Sequence, residues 1–230
     1  MPTPVLPAAV LWDMDGTLVD TEPYWFAAET ELMAESGRIW TASDHAQLVG
    51  MPLLGAARLL RQQGAHLPPE AVVARLVASV KASLADEAPW QPGVLELLAQ
   101  LRDAGVPSAL VTMSYRDLAE AVTRHAPRGS FPVVVSGDEV TQGKPHPEAY
   151  LLAAQRLGVD IARCVAIEDS PPGVASALAS GARTIGVEHL VPVSSQPGLS
   201  RIDSLARIGL AELGMVASGK TLDLLDAGSR

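Results

Sequence analysis

A chain of 230 residues with 48% hydrophobic and 19% charged side chains has the apolar content to bury one sizeable core, or a core and a smaller satellite, and is not a disordered segment. Its 17 basic and 26 acidic side chains leave a formal charge of −9 without any Lys/Arg-rich run, so nucleic acid and anionic membrane surfaces are poor partners. The single cysteine, Cys164 in the apolar run CVAIE, excludes an internal disulfide and reads as a small core residue.

The N-terminus, MPTPVLPAAVLW, has three prolines and no basic residue, and it meets Asp13 before an apolar stretch of signal-peptide length can form. No run of about 18 apolar residues follows, so a soluble, cytoplasmic location is expected. From Ala8 the sequence AAVLWDMDGTLVDT reads as a buried strand that delivers Asp13 and Asp15 at its end, where open α/β sheets bind their ligands. An ordinary Asp/Gly turn is the competing reading of this stretch by itself.

Residues 21–89 are helical in character. Helices are expected over Tyr24 to Gly37, Leu53 to Gly64 and Pro69 to Ala85, the last with prolines suited to a first turn. The segment closes at the Pro/Gly-rich stretch Pro89 to Gly93. It therefore reads as a small all-helical domain, 21–89, inserted into a core made of 1–20 and 90–230.

From Val94 helix and strand alternate. Helices are expected over Val94 to Ala104, Asp117 to His125, Pro147 to Leu157 and Gly173 to Ala179. Strands are expected over Pro107 to Thr112, Val133 to Ser136, Cys164 to Glu168 and Arg183 to Val187. Such alternation predicts an α/β fold with a parallel, Rossmann-like sheet covered by helices on both faces. The remainder reads as a loop, Pro192 to Ser200, and a terminal helix around Ile202 to Leu213.

Three strands end in reactive residue types: Asp13 and Asp15; Thr112 and Ser114; Glu168 and Asp169. In a parallel sheet these converge on one edge. Four carboxylates there repel one another unless a cation neutralises them, and oxygen ligands without His or Cys point to Mg²⁺. The substrate then supplies a metal-bound oxygen, most plausibly from a phosphate. Lys144, fixed between Gly143 and Pro145 in QGKPHPEAY, is placed to pair with Asp13 and a phosphate oxygen. The run from Gly137 to Lys144 fails the P-loop motif, having five intervening residues where four are required.

Together, DMDGT from Asp13, the strand-ending Thr112, Lys144 in GKPHPE and EDSPPG from Glu168 resemble the haloacid dehalogenase superfamily, in its helical-cap group of phosphoglycolate phosphatase-like and β-phosphoglucomutase-like enzymes. The resemblance covers the chain through Val187. It implies Asp13 as nucleophile forming an aspartyl-phosphate, Asp15 as general acid and then base, and Lys144 and Thr112 as further catalytic groups. It also implies Mg²⁺ held by Asp13, the Asp15 carbonyl, Asp169 and Glu168, and a phosphate cradled by Thr112, Met113, Ser114 and Lys144. Met113 is bulkier than the family's usual residue, and its side chain is expected to point away. Thr17 is expected either to orient Asp15 or to be structural. The inserted helices correspond to the cap, with Tyr24, Trp25, Gly50, Met51 and Pro52 as candidates for reading a small phosphate ester. Cap–core packing competes with this role at Trp25. Hinges are expected at Asp20 to Glu22 and Trp90 to Gly93.

Departures narrow the activity. Trp25 stands where the mutase pattern has a histidine, and Leu53 where it has an arginine if Gly50 is the cap-loop glycine. Lys81, the cap's only lysine, lacks the surroundings of a Schiff-base former. Hydrolysis of a sugar phosphate or phosphoglycolate-like ester is the resulting expectation, with a phosphomutase and a catalytically silent binding protein as alternatives. Nothing in the sequence distinguishes a monomer from a dimer.

Overall fold

The computed structural model describes residues 6–225; the outermost parts of the two expected core segments, 1–5 and 226–230, lie outside it. Strand β1 (Ala9–Trp12) is fully buried, with Trp12 Nε1 donating to Ser108 Oγ at 3.1 Å. It is the centre of a parallel sheet with β2 (Ser108–Val111), β3 (Val133–Val135), β4 (Cys164–Glu168), β5 (Arg183–Val187) and β6 (Leu199–Ile202). The strand order is β3-β2-β1-β4-β5-β6. Connections thus leave β1 towards both sides, and the carboxyl ends of β1 and β4 flank the topological switch point, where open α/β sheets form a crevice.

Alternation along the strands explains how both faces are covered. Val10 and Trp12 point into a core completed by α5 (Val94–Asp103), α6 (Arg116–Thr123) and α9 (Leu210–Ala217). Ala9 and Leu11 point oppositely, towards α7 (Glu148–Leu157) and α8 (Pro171–Ser180), in a core rich in alanine. Small residues there let α7 lie close to the sheet. Truncating Leu11, 0% exposed, therefore costs about 2–5 kcal/mol.

Between β1 and α5 lie α1 (Glu22–Ala34), α2 (Ala42–His45), α3 (Leu53–Gln62) and α4 (Pro69–Ser83). The short α2 was not anticipated; Thr41 and Asp44 close it with a reciprocal capping box. The two chain crossings into this segment are tied together. Asp20 N–H donates to Pro89 O at 2.8 Å and Gln91 N–H to Leu18 O at 2.9 Å, while Val19 and Trp90 form an antiparallel bridge.

The C-terminal expectation needs correction. Leu199–Ile202, read as loop and helix, is edge strand β6, and the last helix begins at Leu210 rather than near Ile202. Ser204 accepts from Ala206 N–H and starts a 3-10 turn over Leu205–Arg207. Ile202, Leu205 and Ile208 are all buried. Their spacing of three imitates a helical stripe although they belong to a strand end, a turn and a loop. Among the described residues no helix is long and apolar enough to cross a membrane.

Candidate active site

Asp13 follows β1 directly, its N–H held by Ile167 O at 3.0 Å, so β4 fixes where its carboxylate starts. That carboxylate pairs with Lys144 Nζ, which also reaches Glu168 Oε1 at 2.5 Å and Val111 O at 3.0 Å. Three strand ends thereby share one ammonium. Tyr150 OH donates to Glu168 Oε1 at 2.5 Å from the buried face of α7. Burial opposes the charge of Lys144, yet Asp13 and Glu168 hold its pKa above the ordinary lysine value.

Asp13, Glu168 and Asp169 bring carboxylate oxygens within 4.8 Å of one another, all buried. Burial, then the charge of Glu168, pushes the Asp13 carboxyl up to about 8 against the pull of Lys144; burial, then Asp13 and Glu168, pushes Asp169 well above its usual value. A divalent cation coordinated by these oxygens would offset both, its charge compensating the lost hydration and the mutual repulsion. Three crowded hard-oxygen donors thus fit Mg²⁺. The turn after Asp15 crowds the same group: Gly16, at φ +81°, would place a Cβ 2.1 Å from Asp169 Oδ2.

Two expectations change here. The sequence gathered four carboxylates, but the Asp15 side chain is turned elsewhere. Its Oδ1 accepts from Thr21 Oγ1 at 2.6 Å and Trp25 Nε1 at 3.0 Å, and its Oδ2 from Ser114 Oγ at 2.8 Å. Thr17, expected on Asp15, instead donates to Asp169 Oδ1 at 3.1 Å.

The phosphate-cradle residues are also committed to one another. Ser114 N–H donates to Thr112 Oγ1 at 3.0 Å, and Met113 Sδ accepts from Lys144 N–H at 3.2 Å, so the Met113 thioether supports the lysine loop instead of pointing away. One pocket joins Asp13, Asp15, Thr112, Met113, Ser114 and Lys144 to Trp25, Gly50 and Met51; Tyr24 and Pro52 are not on its wall. Gly50, at φ +73°, lies so close to Ser170 that a Cβ would stand 2.6 Å from its Cβ. Lys81 is outside the pocket and pairs with Asp117 at 2.7 Å.

The sequence reading missed Tyr150 and a buried trio on the pocket wall. His45 Nε2 lies 2.9 Å from Glu22 Oε2 and its Nδ1 2.8 Å from Glu29 Oε2, which also accepts from Trp40 Nε1 at 2.9 Å. A signal was available: Glu22 and Glu29 are two helical turns apart, on the α1 face that otherwise buries Trp25, Ala28, Leu32 and Met33.

A family model described as haloacid dehalogenase-like hydrolase matches residues 7–181. Hexitol phosphatase B of Escherichia coli (strain K12) is 34% identical over 191 residues, covering 81% of this chain and 86% of the relative. The phosphorylated carbohydrates phosphatase of Thermotoga maritima is 34% identical over 184 residues, covering 79% and 85%. CbbY from Rhodobacter sphaeroides, solved with xylulose-(1,5)bisphosphate, superposes with a TM-score of 0.81 at 31% identity over 90% of this chain and 99% of that one. Sequence, sheet order and the placement of the four motifs agree: the chain belongs to the haloacid dehalogenase-like hydrolase family.

Proposed function

We propose that this protein is a Mg²⁺-dependent phosphatase that hydrolyses a small phosphorylated metabolite, a sugar phosphate or phosphoglycolate-like ester, through an aspartyl-phosphate. The observation that carries this reading is the Asp13 carboxylate at the switch point of the sheet, paired with Lys144 and opening into the pocket that Asp15 also lines. Relatives named as hexitol and carbohydrate phosphatases support it.

Asp13 attacks phosphorus, and the bond from phosphorus to the ester oxygen breaks as Asp15 gives that oxygen a proton. Asp15, now a base, takes a proton from water, whose oxygen attacks the acyl phosphate and releases Asp13 and inorganic phosphate. Lys144 opposes the charge on the phosphoryl oxygens, with Thr112 and Ser114 beside it. Asp13, the Asp15 carbonyl and Asp169, with Glu168, would hold Mg²⁺, which supplies electrostatic stabilisation of the transferring phosphoryl group.

Residues 21–89 act as a cap over 1–20 and 90–230 in this reading, moving about Asp20 to Glu22 and Trp90 to Gly93. Because the pocket wall combines both parts, closure shields the acyl phosphate from untimely water. Phosphate release from a panel of phosphorylated metabolites, with Mg²⁺ or EDTA and with wild type or Asp13→Asn, tests the proposal. Release that requires Mg²⁺ and vanishes in the variant is expected; release retained by a folded, contaminant-free Asp13→Asn protein overturns the nucleophile assignment.

A further inference from the structure

The pocket wall also carries Glu22, Glu29 and His45, which the hydrolytic steps do not use. Each imidazole nitrogen faces a carboxylate oxygen at hydrogen-bond distance, an arrangement in which both nitrogens donate and the ring is cationic. With both carboxylates ionised around one imidazolium the trio carries a charge of −1; burial raises the Glu22 carboxyl above its usual value, against the hydrogen bond from His45. Hydrogen bonds from His45 and Trp40 occupy one oxygen of each glutamate; the other oxygen accepts nothing from the protein. The Glu29 side chain is 5% exposed and that of Glu22 10%, so what they can still accept must come from a molecule in the pocket.

The charged donors on the pocket wall are Lys144 and His45. Lys144 is engaged by Asp13, Glu168 and the Val111 carbonyl, and His45 by its two glutamates. No unpaired cation remains on the pocket wall for a carboxylate or second phosphate, whereas acceptors remain for hydroxyl groups. Burial strengthens both the repulsion and the hydrogen bonds.

Building on the phosphatase reading, we propose that Glu22, Glu29 and His45 form the leaving-group subsite: it selects polyhydroxylated monophosphates and rejects esters bearing a second anionic group. Phosphoglycolate-like substrates and bisphosphates are therefore disfavoured, and the contrast is with the relative solved around a bisphosphate.

Three esters of one carbon skeleton test this with the intact protein and Mg²⁺: sorbitol 6-phosphate, 6-phosphogluconate and sorbitol 1,6-bisphosphate, with glucosamine 6-phosphate against glucose 6-phosphate as a cationic comparison. Expected is a kcat/KM at least about tenfold higher for sorbitol 6-phosphate than for either anionic analogue, since like-charge contacts in an interface are strongly unfavourable. Glu22→Gln should shrink that ratio. Equal efficiency on the three, or a preference for an anionic one, overturns the subsite while leaving the phosphatase intact; so does a preference for glucose 6-phosphate over protonated glucosamine 6-phosphate, because a wall of charge −1 attracts a cation. Phosphate release from none of the five compounds, nor from the wider panel, overturns the phosphatase reading itself.

Discussion

Trp25 Nε1 donates to Asp15 Oδ1 at 3.0 Å, and Thr21 Oγ1 reaches the same oxygen at 2.6 Å. Both donors belong to the segment that leads into and begins α1, so the proposed acid/base is held by the element that would move when the pocket opens. Trp25 thus bonds the proposed acid/base as well as packing in the core and lining the pocket.

Removing only this N–H, in Trp25→Phe, is expected to lower kcat by about 10- to 100-fold, the scale at which a misplaced catalytic group slows a reaction. The loss should be larger for alkyl phosphates, whose alkoxide needs a proton, than for p-nitrophenyl phosphate, whose phenolate does not. An equal loss on both substrates would make Trp25 a packing residue alone.

The His45 trio should give stability a pH signature. Burial opposes the charged ring, but the hydrogen bonds and charges of Glu22 and Glu29 raise its pKa from an ordinary 6.5 to about 9. A histidine raised on folding stabilises fully below its unfolded pKa, and the contribution is lost as pH climbs through the folded value. Tm of wild type minus that of His45→Asn should be largest near pH 6 and shrink by pH 10. A difference independent of pH would mean that His45 acts only by filling space.

The sequence revealed the motifs because chemistry at a parallel sheet's edge leaves a local mark: an apolar run that ends in Asp, Thr or Glu. Asp13, Thr112 and Glu168 were found this way, and Lys144 by the rigid residues around it. Orientation left no such mark. Whether Asp15 faces the carboxylates or Trp25 depends on χ angles set by α1, and Ser114 is engaged by Asp15 from 99 residues away. Strand β6 was hidden for a different reason. LSRI is short, carries Ser and Arg, and lies at the sheet edge, where the pattern that betrays a central strand is weak.

Lys144 should matter to stability as well as to turnover. Lys144→Met leaves Asp13 and Glu168 buried without their ammonium, at a cost of about 3–5 kcal/mol. Urea unfolding should show part of that loss restored by Mg²⁺, which neutralises the same carboxylates. A folded variant indifferent to Mg²⁺ would argue against a cation among Asp13, Glu168 and Asp169.

Two glycine substitutions separate the support of these carboxylates from general helix effects. At Gly173, near the start of α8, a Cβ would lie 1.9 Å from Glu168 Oε2, and Tyr150 and Lys144 anchor the other oxygen of Glu168, so a retreat would break those contacts. Gly173→Ala is expected to destabilise by about 1–3 kcal/mol, as overpacking does, and to weaken Mg²⁺ binding measured by calorimetry. Gly55, inside α3, meets only Met51 Cε at 3.5 Å, an ordinary contact. Gly55→Ala should therefore stabilise by about 0.5–1 kcal/mol through helix propensity and leave Mg²⁺ affinity unchanged. If both variants lose Mg²⁺ affinity alike, the effect at Gly173 does not come from displacing Glu168.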